Sequence, residues 1–454
     1  MKSESGLTPV EAMDRVAELY EASRDRLRKA LAAFVENGET PSEAERAGGA
    51  FAYPEIRVHY HPDGPPPPIS RSFGKLSEAG VYATTITQPD FFRSYLISQL
   101  EKIVADYPVR IEVASSSLEI PYPYVLDSGA GVDAEALPPA EFARWFPAPR
   151  LSYIGDEVAD GDPEMFRGEK PLALFDAPRV DFSLQRLQHY TGTPFGDFQR
   201  YILFTNYHRY VDHFVGWASE KLKEGGRYTE LIGPGGVKLD ANSKDGDAQL
   251  AEESWKRFQM PAYHLKADNA NGITLVNIGV GPSNAKTITD HLAVLRPECW
   301  IMVGHCGGVR HSQRIGDYVL AHAYLRDDHV LDSVLPPDIP VPPIAEIQVA
   351  LQEAAEQVTG ESREDLKARL RTGTVITTDD RNWELRFTAS LRRFNQSRAI
   401  AIDMESATIA ANGYRLRVPY GVLLCVSDKP LHGEIKLAGA ANRFYERAIG
   451  EHIR

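Results

Sequence analysis

Three cysteines in 454 residues leave little for a disulfide framework, and Cys299, Cys306 and Cys425 show no metal-ligand spacing among themselves. Neither a cross-linked scaffold nor a metal site is expected. Long apolar runs are also missing: no stretch approaches the roughly 20 residues that a bilayer-spanning helix needs. Met1 to Pro9 lacks the basic start and apolar stretch of a secretory signal. The chain therefore reads as a soluble cytoplasmic protein with no membrane partner. Basic charge is scarce, 50 Lys and Arg against 63 Asp and Glu for a net charge of −13, which speaks against a phosphate-tracking surface and so against nucleic acid. A small anion is still compatible, because a few local donors can hold one phosphate against an adverse global field. No repeat or low-complexity tract is visible, and the tetraproline at 65–68 reads as a stiff turn.

What is present is an ordinary globular composition, 43% hydrophobic and 25% charged, in a chain longer than one core usually serves. Two domains are expected, divided somewhere between 150 and 195, with 1–180 as a smaller α+β N-terminal domain and 181–454 as the larger one. Thr8-Pro9-Val10-Glu11 has the form of a capping box with Pro at the first helical position. Met13, Val16, Tyr20, Leu27, Leu31 and Phe34 then recur on one face until Gly38 and Pro41. A strand is expected over Ile56–Tyr60 and a second helix from about Pro89 to Ala105.

From Tyr201 onward short apolar runs alternate with helical stretches, the pattern of an α/β domain. The runs are Tyr201–Phe204, Ile273–Ile278, Trp300–Val303, Tyr318–Ala321, Ala399–Ile402 and Val422–Val426. Several lack polar alternation, as strands covered on both faces do. Glu230–Val237 reads as a turn whose glycines are conformational.

Ligands in open α/β sheets gather at the carboxyl ends of strands, and four such ends carry chemistry-bearing residues. At Gly279 and Gly281, ahead of Ser283-Asn284, backbone N–H groups could face an anion or a sugar hydroxyl, but a tight turn explains the glycines equally well. No Walker loop or full dinucleotide fingerprint is present. At Gly304-His305-Cys306-Gly307-Gly308 a His and a Cys stand at a strand tip, yet neighbours on one strand point in different directions and make a poor attacking pair. At Asp403-Met404-Glu405-Ser406 helix capping accounts for Asp403 or Ser406, while Glu405 could accept two hydroxyl hydrogen bonds from a ribose. At Ser427-Asp428 an apolar strand delivers a carboxyl whose pKa burial would raise, suiting it to donate a proton; a solvated turn aspartate before Lys429-Pro430 is the alternative.

Taken in order, these pieces resemble the nucleoside phosphorylase and nucleosidase superfamily. Thr377-Thr-Asp-Asp-Arg-Asn-Trp-Glu-Leu-Arg386, Asp403-Met-Glu-Ser406 and Ser427–Lys436 are similar to bacterial AMP nucleosidases, as are Ile120–Asp127 and Leu187–Gly192 in the first half of the chain. The resemblance implies a phosphorylase-type mixed central sheet flanked by helices. It implies hydrolysis of AMP to adenine and ribose 5-phosphate, with Asp428 protonating N7 of the departing base. It places Met404 and Glu405 at the ribose and Trp383 against the purine. Gly281, Gly304, His305 and Cys306 would line the same pocket, and Asn206, Tyr207 and Arg209 would serve the 5′-phosphate or the nucleophile. His305 and Asp212 are candidates for activating water, and Arg310, Arg381 and Lys286 are further candidates for the phosphate. Phosphorylases of the superfamily bring an Arg and a Ser to the positions of Met302 and His305, so losing that cation favours water over inorganic phosphate as nucleophile. The resemblance further implies no cofactor or metal for the chemistry, a homohexamer, activation by Mg-ATP and inhibition by inorganic phosphate. A phosphorolytic enzyme and a non-catalytic adenine-nucleotide sensor are the competing readings.

Overall fold

The computed structural model describes residues 6–65, 67–68, 76–126, 138–161, 168–243, 257–435 and 448–454. The chain divides into two units, Met1–Gln185 and Arg186–Arg454.

The first unit is organised by helix α1 (Pro9–Asn37). It starts where local chemistry demands: the Thr8 hydroxyl accepts from the Glu11 N–H, and the Glu11 carboxylate accepts from the Thr8 N–H at 2.9 Å. It stops at Gly38, whose φ of 72° is a left-handed conformation that only glycine adopts freely. The expected face is buried, and it serves two clusters. Met13 and Val16 pack with Ile56, Val58 and Tyr60, whereas Tyr20, Leu27, Leu31 and Phe34 pack with Phe51, Tyr53 and Phe142. The strands beneath are β1 (Ala52–Tyr60), β2 (Gly80–Thr85), β3 (Val109–Glu119) and β4 (Lys170–Pro171), in the order β3-β1-β2-β4. Helix α2 (Pro89–Asp106) packs beside α1, and helix α3 (Ala177–Thr191) carries the chain across the division.

The second unit is built on ten strands among the described residues: β5 (Tyr201–Thr205), β6 (Tyr228–Ile232), β7 (Lys238–Leu239), β8 (Ala262–Ala267), β9 (Ile273–Asn277), β10 (Cys299–Gly308), β11 (Tyr318–Asp327), β12 (Leu370–Thr378), β13 (Ala401–Asp403) and β14 (Tyr420–Asp428). Their order is β13-β12-β11-β14-β10-β5-β9-β8-β6-β7, and β13 also pairs with β10. That extra pairing turns half of the sheet into a closed five-strand ring, β10-β14-β11-β12-β13. Both parallel and antiparallel pairs occur, so the sheet is mixed. The flanking helices are α4 (His208–Glu224), α5 (Pro282–Leu292), α6 (Ala345–Thr359), α7 (Phe387–Ser397) and α8 (Ser406–Leu416).

The run Trp300–Val303 is a strand, but the strand does not end there: β10 continues through the glycines to Gly308. The glycines expected at a loop tip instead permit strand crossing. A Cβ on Gly307 would lie 3.1 Å from Ile402 Cγ2, and one on Gly308 would lie 2.9 Å from Val426 Cγ1. Strands β2, β3, β4, β7, β8 and β12 went unread, and Glu230–Ile232, expected as part of a turn, instead ends strand β6; serines interrupt β3, and β12 shows no regular alternation.

Among the described residues no helix is long and apolar enough to cross a membrane, and no group of three or more His, Cys, Asp or Glu is placed to hold a metal ion. All three cysteines are free and buried, and burial pushes the Cys299 thiol up to about 11 and the Cys425 thiol up to about 12.

Leu27 is fully buried in the aromatic cluster under α1. Leu27→Ala should destabilise the protein by about 2–5 kcal/mol, read as a lowered urea midpoint for the first unfolding transition; an unchanged midpoint would refute this packing.

Candidate active site

Strand β13 is only three residues long and ends in Asp403, after which the chain turns sharply into α8. Asp403 caps that helix, its carboxylate accepting from the Ser406 N–H at 2.9 Å and from the Ser406 hydroxyl. Thr377, at the paired end of β12, donates to the other carboxylate oxygen at 2.5 Å and itself accepts from the Ala407 N–H at 2.8 Å. The capping role weighed for Asp403 is therefore present. Thr377 was within a quoted motif but not singled out; its signal is a β-branched hydroxyl at the end of an apolar run.

Capping leaves Glu405 to be explained by something else. It is 0% exposed, and its two oxygens face different strands of the sheet. One accepts from Asn206 Nδ2 at 2.7 Å, just beyond β5; the other accepts from the Gly281 N–H at 2.6 Å, just beyond β9. Gly281 holds a φ of 114°, outside the range of other residues, and immediately precedes α5. Burial pushes the Glu405 carboxyl well above the usual carboxylate range, and the negative charge of nearby Asp403 adds to it.

Asp428 ends β14. Register places it opposite Gly307 of β10, and Gly307 on its other side is opposite Ile402 of β13, next to Asp403. The two carboxyl-bearing strand ends thus flank one glycine. Asp428 is half-buried, so the deep burial expected for it belongs to Glu405 instead. Ser427 is buried, and its hydroxyl reaches Asp428 Oδ1 at 2.5 Å and the Cys306 carbonyl at 3.2 Å.

The other site residues fall unevenly. Gly304 is buried beside Asn206: a Cβ there would stand 3.5 Å from Asn206 Oδ1 and 3.0 Å from Met302 Cε. Met302 is core. The His305 ring packs against the rings of Tyr207 and Tyr210, each with centroids at 5.3 Å, and the Arg209 guanidinium lies 5.9 Å from the Tyr207 ring centre. Cys306 is 3% exposed, a poor position for an attacking thiol. Met404 is half-buried between the two acids. Trp383 is buried against Phe394, Val309 and Ile402, so a base can stack on its face only if a neighbour moves.

Asp212 and Lys286 are not drawn in. Asp212 is exposed, lies 3.5 Å from His208, and lines a surface recess with Trp217 and Arg454. Lys286 is engaged with Asp290 at 2.5 Å. Arg381 is exposed, and Arg310 is half-buried.

Residues 11–170 match the N-terminal family of bacterial AMP nucleoside phosphorylase, and residues 237–448 match the phosphorylase superfamily. The AMP nucleosidase of Escherichia coli strain K12 is 58% identical over 453 residues, 99% of this chain and 93% of that protein. The chain belongs to the AMP nucleosidase family. A more distant relative of this AMP nucleosidase family member, the 5′-methylthioadenosine/S-adenosylhomocysteine nucleosidase of Desulfotalea psychrophila, is 27% identical over 177 residues, 37% of this chain and 71% of that protein. The solved AMP nucleosidase structure from Bacteroides thetaiotaomicron aligns with a TM-score of 0.42 and 26% identity over 60% of this chain and 95% of that one.

The raised Glu405 carboxyl has a thermodynamic consequence. A folded-state pKa above the unfolded value near 4.3 means the fold favours the proton; that contribution is full below the unfolded value and is lost as pH rises through the folded one. Glu405→Gln should therefore lose less stability than wild type between about pH 5 and pH 9. Melting temperatures of the two proteins that fall in parallel across this range would contradict the assignment.

Proposed function

We propose that this protein hydrolyses AMP to adenine and ribose 5-phosphate. One observation carries the reading: a deeply buried glutamate held by two donors and a half-buried aspartate stand at strand ends on either side of Gly307. The chemistry needs two such carboxyl groups with different tasks. Adenine leaves poorly as an anion, so a proton must reach N7 as the bond from C1′ to N9 breaks and its electron pair passes into the base. Asp428 supplies that proton, and the Ser427 hydroxyl then donates to the carboxylate left behind. Glu405, fixed by Asn206 and Gly281, accepts from the ribose hydroxyls and holds the sugar while C1′ gains positive character. Water attacks C1′, and its proton passes to His305, which follows Gly304 on β10 and packs against the Tyr207 ring. The 5′-phosphate falls to the turn of Asn206, Tyr207 and Arg209 at the start of α4, where a guanidinium and the positive end of a helix suit an anion.

Met302 supports water over inorganic phosphate. It is fully buried under Gly304 and offers no cation where a phosphate co-substrate would need one. The chemistry takes no cofactor or metal; cytoplasmic residence, assembly into a homohexamer and activation by Mg-ATP belong to the same reading through family resemblance.

The test is product analysis after incubation with AMP in phosphate-free buffer. Adenine and ribose 5-phosphate are expected, and Asp428→Asn should lower kcat by about 10²- to 10⁴-fold with the protein still folded. Adenine appearing only when phosphate is added would replace the reading with phosphorolysis; AMP bound but intact would replace it with a sensor.

A further inference from the structure

Behind His305 lies a buried pair that the reaction above does not use. His452 is 7% exposed, its ring sandwiched between those of Tyr210 at 5.4 Å and Tyr318 at 5.3 Å. Its Nε2 stands 2.8 Å from the Leu423 carbonyl on β14, an oxygen that can only accept, so Nε2 carries a proton. Its Nδ1 stands 2.7 Å from the Tyr210 hydroxyl. Burial pushes His452 down to about 4, leaving the ring neutral and Nδ1 an acceptor. The tautomer is thereby fixed, and the Tyr210 proton points at Nδ1.

Tyr210 has a second acceptor in reach, the Gly304 carbonyl at 3.4 Å. The shorter, better contact holds the hydroxyl away from it. The Tyr210 ring is one of two aromatic walls against His305, with centroids at 5.3 Å, and Gly304 immediately precedes His305. A change at His452 would therefore release the hydroxyl toward Gly304 and move both the wall and the strand that carry His305.

We propose that His452 is a positioning residue: anchored on the Leu423 carbonyl as its Nε2–H tautomer, it accepts the hydrogen bond of the Tyr210 hydroxyl at Nδ1 and fixes the aromatic wall that orients His305. The proposal rests on the reading of His305 as the group on the water side.

Three variants of the full chain test it, with AMP turnover and side-chain ¹⁵N NMR as readouts. His452→Leu keeps bulk but removes both hydrogen bonds, and kcat should fall about 10- to 100-fold with KM for AMP nearly unchanged. His452→Gln can donate to Leu423 and accept from Tyr210 through one amide, and should recover most of that loss. Tyr210→Phe should match His452→Leu, and the double variant should add little. NMR should show His452 in wild type protonated at Nε2 alone, with the His305 ring signals displaced in His452→Leu and restored in His452→Gln. Equal losses in the Leu and Gln variants, or an imidazolium or Nδ1–H form at His452, would overturn the proposal. If wild type leaves AMP intact, the hydrolytic reading fails by itself, while the His305 signals still decide whether His452 positions that ring. Should His452→Leu fail to fold, Tyr210→Phe carries the same comparison.

Discussion

Two strands can lie against each other at van der Waals distance only if the side chains between them are small, and the pairing of β13 with β10 depends on that condition. Gly307 meets it, since a Cβ there would press on Ile402 of β13, while a Cβ on Gly308 would press on Val426 of the other neighbour, β14. The pairing closes the ring, and the ring brings the ends of β10, β12, β13 and β14 together. The placement of the acids follows from this closure: Asp428 is opposite Gly307, and Asp403 and Glu405 leave β13 just past its contact with the same residue. Without the crossing, the two acids would belong to strands with no shared neighbour in the sheet order.

Closure also explains how Glu405 tolerates complete burial. A carboxyl group removed from water is costly unless its oxygens are satisfied, and burial of this one favours its protonated form. Asn206 arrives from beyond β5 and Gly281 from beyond β9, so three separate strand ends must be in register before the glutamate has both partners. The site is thus assembled by the sheet rather than by any one loop. Its aspartate is treated differently: Asp428 is half-buried, beside the Ser427 hydroxyl.

Residues whose signal is local were legible in the sequence. The Thr8 and Glu11 capping box, the apolar face of α1 and the continuous run ending at Ser427 and Asp428 each announce themselves within one contiguous stretch of chain. Glu405 could be flagged because an acid beside an apolar run needs partners, yet the sequence could not say that Asn206 and Gly281 are those partners, 199 and 124 positions away. The glycines after Val303 illustrate the opposite error. Their density looked like a loop approaching a ligand, whereas they lie in a strand approached by another strand, and glycine serves both situations for the same steric reason. Trp383 was picked out as an aromatic and lies near the right strand ends, but aromatic identity carries no information on how much of its face a core will cover.

The Ser427 hydroxyl has one proton and two acceptors, the Asp428 carboxylate and the Cys306 carbonyl. The hydrogen can point at only one of them at a time, so whatever draws it toward the carboxylate takes it from the peptide oxygen. The amide I vibration of Cys306 is therefore coupled to a side chain on the adjacent strand. A carbon-13 label at that single carbonyl would make the peptide backbone itself an infrared indicator of where the Ser427 hydroxyl points.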